Sequence, residues 1–217
     1  MNIPDPHGKQ PILHLGVPLE QATAAMVMIH GRGASAQDIL SLARELGETK
    51  RIAFLAPQAA NATWYPYRFL EPMERNEPFL SSALLMVERV VQKIVDAKIP
   101  RERIMLLGFS QGACLALEYA AQHAQKYGGI VGLSGGLIGP DGTPRDYAGA
   151  FHQTPVFLGC SDVDFHIPKE RVVETAEIFN MMGADVTMRL YPNMDHTVNM
   201  DEIKFVRGMV ETVQGQG

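Results

Sequence analysis

Residues 103–112 join an apolar run to a Gly-x-Ser-x-Gly motif and pass directly into a stretch that favours a helix. Glycines at 108 and 112 permit the sharp strand-to-helix turn that would expose the hydroxyl of Ser110 to a substrate. The same turn leaves the backbone N–H of Gln111 unpaired at the positive end of the helix, where it can stabilise an oxyanion. The motif therefore predicts Ser110 as a nucleophile that attacks a carbonyl carbon.

A nucleophilic serine needs a general base and an acid that orients the base. In one class of hydrolases they follow in the chain order serine, acid, histidine. His196 comes after the last predicted strand and is the predicted base. Asp162 and Asp164 come after the preceding predicted strand, so parallel strands would bring these groups to one edge of a sheet. His166 is the competing base, but it lies beside Asp164 in the acid loop, where it orders that loop or lines the pocket.

The segment His30-Gly31-Arg32-Gly33 follows another predicted strand. Glycine on both sides of Arg32 allows the main chain to turn its N–H groups inward, so the backbone N–H of Arg32 is the predicted second donor of an oxyanion hole. The alternative is an ordinary glycine-rich turn. Two directions remain open for the Arg32 side chain, which either points to solvent or caps the pocket.

Short apolar runs alternate with longer stretches of helical period, a pattern typical of βαβ units. We therefore predict an α/β fold, with helices on both faces of a mainly parallel, twisted sheet. The predicted strands are Ile12–Leu15, Ala24–Ile29, Arg51–Ala56, Arg103–Gly108, Gly129–Leu133, Pro155–Gly159 and Val186–Tyr191. The first two strands are candidates for an antiparallel edge. The predicted helices are Ala36–Leu46, Ser81–Ala97, Gln111–Gln125, Lys169–Met182 and Asp201–Val213.

Residues 57–78 lack either period and hold several aromatic residues among prolines. A loop of this length in a compact domain is usually functional or disordered, and the aromatic content argues against disorder. We predict that residues 57–80 cover the pocket and that Trp64, Tyr65 and Phe69 line it, together with His166. Packing of the three aromatic side chains against the sheet is the alternative.

The composition fits one globular domain over residues 1–217, with 46% hydrophobic and 20% charged residues. The formal net charge of −5 and the absence of a Lys or Arg cluster argue against nucleic acid or an anionic membrane surface as a partner. The N-terminus is unlike a signal peptide and no apolar run could span a bilayer, so we expect a cytoplasmic location. Cys114 and Cys160 are expected to be buried small residues.

Several motifs together resemble the phospholipase/carboxylesterase family of small α/β-hydrolases, which includes the acyl-protein thioesterases. The resemblance spans nearly the whole chain. It rests on His30-Gly-Arg-Gly-Ala-Ser35, Ala56-Pro-Gln58, Trp64-Tyr-Pro66, Gly108-Phe-Ser-Gln-Gly-Ala113, Leu133-Ser-Gly-Gly136, Gly159–Pro168 and His196. In the family the acid lies in a segment similar to His-Gly-x-x-Asp-Pro-x-Val-Pro. Matching the end of that segment to Ile167-Pro168 implies that the acid is Asp164 rather than Asp162.

The chain departs from the family pattern at three places. Cys160-Ser161 stands where many relatives have His-Gly, and Phe165 stands where they have Pro. Arg32-Gly-Ala replaces the Leu-Gly-Asp that is common in thioesterase members. The sequence therefore resembles the bacterial carboxylesterase branch more closely than enzymes that remove palmitate from proteins. Because relatives often pair, the resemblance also makes a homodimer plausible.

The residues and the resemblance together predict a serine carboxylesterase that hydrolyses small acyl esters through an acyl-enzyme, with a small-molecule ester as its partner. The predicted chemistry requires no metal and no organic cofactor. Lysophospholipase or acyl-thioesterase activity is the first alternative, and a dienelactone hydrolase, which usually carries Cys in place of Ser110, is the second. A binding protein with a hydrolase fold is disfavoured, because the triad residues and the oxyanion glycines are all present.

Overall fold

The computed structural model describes residues 4–47 and 50–215. In these residues seven β-strands and five α-helices follow the predicted elements, with ends that shift by a few residues. The strands are β1 (Ile12–Gly16), β2 (Ala24–Ile29), β3 (Ile52–Pro57), β4 (Ile104–Phe109), β5 (Gly129–Leu133), β6 (Pro155–Ser161) and β7 (Asp185–Tyr191). The helices are α1 (Ala36–Leu42), α2 (Phe79–Asp96), α3 (Gln111–Gln122), α4 (Lys169–Met181) and α5 (Met200–Gly215).

The strands form one sheet in the order β1-β3-β2-β4-β5-β6-β7. Strand β1 runs antiparallel to β3, and the neighbours from β3 to β7 are parallel. The prediction that the first two strands form an antiparallel edge is wrong in its pairing. Both sides of β2 are taken by parallel neighbours, β3 and β4, so β1 pairs with β3 at the edge.

The central strands are apolar at consecutive positions because helices cover both faces of the sheet. In β2, Ala25, Val27 and Ile29 pack into one core with α2, α3 and α4. The alternating residues, Ala24, Met26 and Met28, pack into the second core with α1 and α5. The predicted α/β fold is therefore confirmed. No helix of the described residues combines the length and apolar character that crossing a membrane would require.

The segments that follow the parallel strands leave the sheet at its carboxyl edge. Residues 30–35 follow β2, residues 58–78 follow β3, and Ser110 separates β4 from α3. Residues 162–168 and 192–199 follow β6 and β7. This edge therefore gathers every segment for which the sequence predicts a chemical role.

Candidate active site

Ser110 sits on a strained turn between β4 and α3. Its backbone has φ +54° and ψ −120°, a conformation that residues with side chains rarely adopt. The flanking glycines make the turn possible. A Cβ at Gly108 would lie 2.1 Å from the carbonyl oxygen of Gly112, and a Cβ at Gly112 would lie 2.1 Å from that of Ile29. Strain at one serine, supported by two glycines without space for a side chain, is typical of a nucleophile turn.

The structure brings Ser110, His196 and Asp164 into one hydrogen-bonded chain. His196 Nε2 lies 2.8 Å from Ser110 Oγ, and His196 Nδ1 lies 2.6 Å from Asp164 Oδ2. Because an ionised carboxylate only accepts hydrogen bonds, Nδ1 carries a proton and Nε2 is free to accept one from the serine hydroxyl. This arrangement matches the geometry of a serine, a general base and an orienting acid.

Asp164 is held as a carboxylate by the loop that carries it. Its side chain is fully buried, and its Oδ1 accepts hydrogen bonds from the backbone N–H groups of His166 and Ile167, at 2.8 and 3.1 Å. Burial raises the pKa of the carboxyl, but the hydrogen bonds from His196 and from the two N–H groups outweigh burial, and the pKa lies below its ordinary value. The group is therefore ionised at neutral pH.

Asp162, the other acid of this loop, does not contact His196. Its Oδ1 accepts a hydrogen bond of 2.8 Å from the backbone N–H of Asn193, in the loop between β7 and His196. The structure therefore places Asp164 beside the histidine, as the resemblance implied, whereas Asp162 joins the acid loop to the histidine loop.

Two backbone N–H groups are available at the predicted oxyanion hole. Neither the N–H of Arg32 nor that of Gln111 donates a hydrogen bond to any acceptor in residues 4–47 and 50–215. The Arg32 loop lies close to Ser110, because a Cβ at Gly31 would be 3.4 Å from Ser110 Cβ. Within the described residues both predicted donors therefore lack an acceptor, and the loop that carries Arg32 contacts the Ser110 turn.

The side chains of Arg32 and Gln111 hold the loop that follows β3. Arg32 donates from Nη1 to the carbonyl of Pro66 at 2.9 Å and from Nη2 to that of Tyr67 at 2.6 Å. Gln111 accepts from Trp64 N–H at 2.9 Å and donates to the Tyr65 carbonyl at 2.8 Å. The Arg32 side chain therefore lines the cavity and binds this loop, and it also stays exposed to solvent.

A cavity of about 250 Å³ opens above Ser110. Three of the predicted pocket residues, Tyr65, Phe69 and His166, line it. Trp64 does not. The cavity is lined by Arg32, Tyr65, Arg68, Phe69, Ser110, Gln111, Cys114, His166, Ile167 and His196.

The prediction that Trp64 forms part of the pocket is corrected by its position. Its ring is fully buried and packs between the rings of His7 and His30, with centroids 5.3 and 5.0 Å away. Its Nε1–H donates to the His30 carbonyl at 2.8 Å. Trp64 therefore anchors the loop, as the packing alternative proposed.

Sequence reasoning did not assign Arg68, Ile167 and Cys114 to the cavity. Cys114 lies one helical turn after Ser110, so the helical period could have placed it on the same face as the nucleophile. Both cysteines are buried, as predicted. Burial raises the pKa of the Cys114 thiol to about 12, so Cys114 contributes an uncharged wall. In the described part of the chain, no group of three or more His, Cys, Asp or Glu side chains is arranged to hold a metal ion.

Residues 15–214 match the sequence pattern of the phospholipase/carboxylesterase family. The chain belongs to this family. A crystal structure of a phospholipase/carboxylesterase from Dyadobacter fermentans is 45% identical, with a TM-score of 0.90, and the match covers 97% of this chain and 100% of that one. Acyl-protein thioesterase 1 of Gibberella zeae is 30% identical over 88% of this chain and 90% of its own. The protein is thus a hydrolase of the carboxylesterase and acyl-protein thioesterase type.

More distant members of the α/β-hydrolase fold share its architecture. A carboxylesterase structure from Bacillus cereus is 16% identical, with a TM-score of 0.71, and the match covers 95% of each chain. This likeness supports the fold assignment, and the closer matches confirm the family resemblance that the motifs implied.

The departures from the phospholipase/carboxylesterase pattern leave the acid in place. Phe165 projects into solvent with a relative exposure of 95%, while the neighbouring Asp164 keeps its contact with His196. Cys160 is buried behind the acid, with Sγ 3.8 Å from Asp164 Oδ2. The third departure, at Arg32, preserves the backbone N–H and adds the side-chain contacts to the loop after β3.

Proposed function

We propose that this member of the phospholipase/carboxylesterase family is a serine carboxylesterase that hydrolyses small acyl esters through an acyl-enzyme. The observation that carries the proposal is the Asp164–His196–Ser110 chain, with heavy-atom distances of 2.6 and 2.8 Å, at the wall of a cavity that opens to solvent. The backbone N–H groups of Arg32 and Gln111, which donate to no acceptor within the described part of the chain, support the same chemistry.

In the proposed first half-reaction, His196 Nε2 takes the proton of Ser110 as Oγ attacks the acyl carbon. The carbonyl oxygen becomes an oxyanion that accepts hydrogen bonds from the N–H groups of Arg32 and Gln111. Asp164 holds the imidazole in the correct tautomer and stabilises its positive charge. When the tetrahedral intermediate collapses, the ester C–O bond breaks and His196 returns the proton to the departing alcohol.

In the second half-reaction, a water molecule replaces the alcohol. His196 takes a proton from this water as its oxygen attacks the acyl carbon of the acyl-enzyme. The second tetrahedral intermediate releases the carboxylic acid and restores the hydroxyl of Ser110 with the proton held by His196. Each step uses groups of the chain and water.

The size of the cavity favours small substrates. Its volume of about 250 Å³ lies below the range of about 300–1,000 Å³ that is common for sites that bind drug-sized ligands. Phe69, Tyr65 and Ile167 give it apolar walls. We therefore expect short acyl groups to be hydrolysed faster than long ones.

Acyl-thioester hydrolysis is the second candidate function. It is supported by the 30% identity to a relative named acyl-protein thioesterase 1, and the same serine, base and oxyanion donors would attack a thioester carbonyl. The ester reading is preferred because of the small cavity and the close match to a structure named phospholipase/carboxylesterase. Lysophospholipase activity, a cytoplasmic location and a homodimer stay predictions from the sequence.

The test compares hydrolysis of p-nitrophenyl acetate, butyrate and octanoate, and of butyryl-coenzyme A, by the wild type, Ser110→Ala and His196→Ala. We expect wild-type activity that falls at octanoate, and a loss of about 10³-fold or more in each variant. Faster turnover of the thioester than of the butyrate ester would favour the second candidate. Unchanged ester hydrolysis in Ser110→Ala would overturn the proposal.

A further inference from the structure

Arg68 is a cationic side chain at the cavity that neither the proposed triad nor the fold uses. It is exposed on the loop between β3 and α2 and lines the cavity together with Ser110 and His196. In residues 4–47 and 50–215, its guanidinium makes one long hydrogen bond, 3.5 Å from Nη2 to the His166 carbonyl, and pairs with no carboxylate. Most of its five N–H donors are therefore available to a ligand.

Other arginines of the same region are engaged. Arg32 also lines the cavity, but both of its terminal nitrogens donate to loop carbonyls. Arg75, on the same loop as Arg68, pairs with Glu71 at 2.8 Å and lies over the ring of Tyr67. Among the described residues, Arg68 thus differs from Arg32 in having free N–H donors, and from Arg75 in having no carboxylate partner.

The cavity has no accessible negative charge to balance Arg68. Asp164 is the acid nearest the reacting serine, but its carboxyl group is fully buried and both oxygens accept hydrogen bonds. Carboxylate side chains are also absent from the residues that line the cavity in the described part of the chain. A ligand that enters the cavity therefore meets two guanidinium groups and no competing acid.

We propose that the natural ester carries an anionic group, a carboxylate or a phosphate, which Arg68 binds while the ester carbonyl lies at Ser110. A guanidinium presents parallel N–H donors that fit two oxygens of either anion. The proposal rests on the esterase function proposed above and adds a substrate class and a specificity-determining residue. Because the whole chain has a net charge of −5, the preference would arise locally, at the cavity, and not from long-range attraction.

The test uses two matched substrate pairs, since the anion could lie on either side of the ester. The acyl-side pair is the mono-p-nitrophenyl ester of adipic acid and p-nitrophenyl hexanoate. The alcohol-side pair is 1-butyryl-glycerol 3-phosphate and 1-butyrylglycerol, with butyrate release as the readout. The ratio of kcat/KM for the anionic ester to that for its neutral partner is measured for the wild type, Arg68→Gln, Arg68→Glu and Arg75→Gln.

We expect a wild-type ratio of about ten or more for at least one pair, and the pair that shows it identifies the side of the anion. Arg68→Gln should lower that ratio about tenfold, mainly through KM, and Arg68→Glu should lower it further. Arg75→Gln, on the same loop but outside the cavity, should leave the ratio within about twofold, because its exposed ion pair contributes little. Ratios near one for both wild-type pairs, or a ratio that Arg68→Gln preserves, would overturn the proposal.

The outcomes distinguish a failure of the esterase function from a failure of the anion site at Arg68. Hydrolysis of the neutral esters that depends on Ser110 supports the esterase function whatever the ratio is. If no ester is hydrolysed, the esterase function fails, and calorimetric binding of adipate and of glycerol 3-phosphate to the wild type and to Arg68→Gln tests the anion site by itself. Binding of either anion that Arg68→Gln weakens about tenfold or more would support the site, and no binding, or equal binding to both proteins, would overturn it.

Discussion

The two aspartates after β6 have separate tasks. Asp164 contacts His196 and accepts backbone hydrogen bonds from its own loop. Asp162, two positions earlier, accepts a backbone hydrogen bond from Asn193. The first therefore acts on the imidazole itself, and the second acts on the chain that carries the imidazole. Substitution of each acid by its amide should separate these roles.

We predict that Asp164→Asn lowers kcat for p-nitrophenyl butyrate about 10³- to 10⁴-fold, because the amide loses the charge that stabilises the imidazolium and its correct tautomer. Asp162→Asn should cost much less, since its amide oxygen can still accept from Asn193. Steady-state kinetics on both variants is the measurement. Equal losses of kcat in the two variants would show that Asp164 has no special role in the reaction.

The sequence predicts some site residues more specifically than others. The Gly-x-Ser-x-Gly turn and the histidine after the last strand identify Ser110 and His196, because motif and strand order restrict both. Asp162 and Asp164 share one loop, so spacing could not separate them and the family pattern was needed. Trp64 and Arg68 lie in a loop without periodicity, in which the sequence does not indicate which side chains turn inward.

At the scale of elements, the loop between β3 and α2 is fixed by side chains from the rest of the fold. His7 accepts from the Ala60 N–H at 3.0 Å, and its Nε2 lies 2.9 Å from the Trp64 carbonyl. Gln111 and Arg32 bind the next residues of the loop. The loop is therefore a wall of the cavity that is held in position at several points.

The structure predicts that Trp64→Phe lowers the free energy of unfolding by about 1–3 kcal/mol, because the buried carbonyl of His30 loses its donor. The preference among acetate, butyrate and octanoate esters should not change, because the ring lies outside the cavity. By contrast, Phe69→Ala should enlarge the cavity and raise relative activity on octanoate. Urea unfolding and the chain-length profile test both variants. A changed chain-length profile in Trp64→Phe would show that Trp64 does line the pocket.

The order of strands and helices follows from hydrophobic periodicity, and the predicted elements occur at nearly the predicted positions. Periodicity does not determine which strands pair. Strand β1 is adjacent to β2 in sequence, but pairing with β3 puts it at the edge, where its partly exposed residues are tolerated. In the folded sheet β3 and β4 occupy both sides of β2, so β1 pairs with β3. The sequence pattern does not predict this arrangement.

At the scale of the whole molecule, buried ionisable groups link stability to pH. Glu202 lies in the first turn of α5, after the His196 loop, and its Oε2 accepts from the Asn199 N–H at 2.8 Å. Among the described residues its Oε1 has no hydrogen-bond partner. Burial raises the pKa of this carboxyl from 4.5 to about 7. The folded state therefore prefers the protonated form, so the contribution of Glu202 to stability falls as pH rises from 4.5 towards 7 and is constant above it.

Two histidines oppose this trend. Burial lowers the pKa values of His7 and His30 below the ordinary value, although hydrogen bonds partly offset burial. In the unfolded chain both histidines bind protons more readily than in the folded protein. They therefore destabilise the fold as pH decreases below about 6.5. A comparison of the wild type with a Glu202 variant cancels their contribution.

We predict that Glu202→Gln is more stable relative to the wild type at about pH 8 than at about pH 5, by at most about 3 kcal/mol. The amide removes the cost of a buried charge and keeps an acceptor for Asn199. Urea unfolding of both proteins at the two pH values gives the difference. A stability difference that is the same at both pH values would show that Glu202 does not titrate between them.

Covalent labelling shows whether Ser110 is the nucleophile. The purified protein is treated with a fluorophosphonate, the adduct is located by peptide mass spectrometry, and residual p-nitrophenyl butyrate hydrolysis is measured in the same samples. We predict one adduct on Ser110, loss of activity in proportion to labelling, and no adduct in Ser110→Ala. An adduct at another residue, or full activity in the fully labelled protein, would show that Ser110 is not the nucleophile.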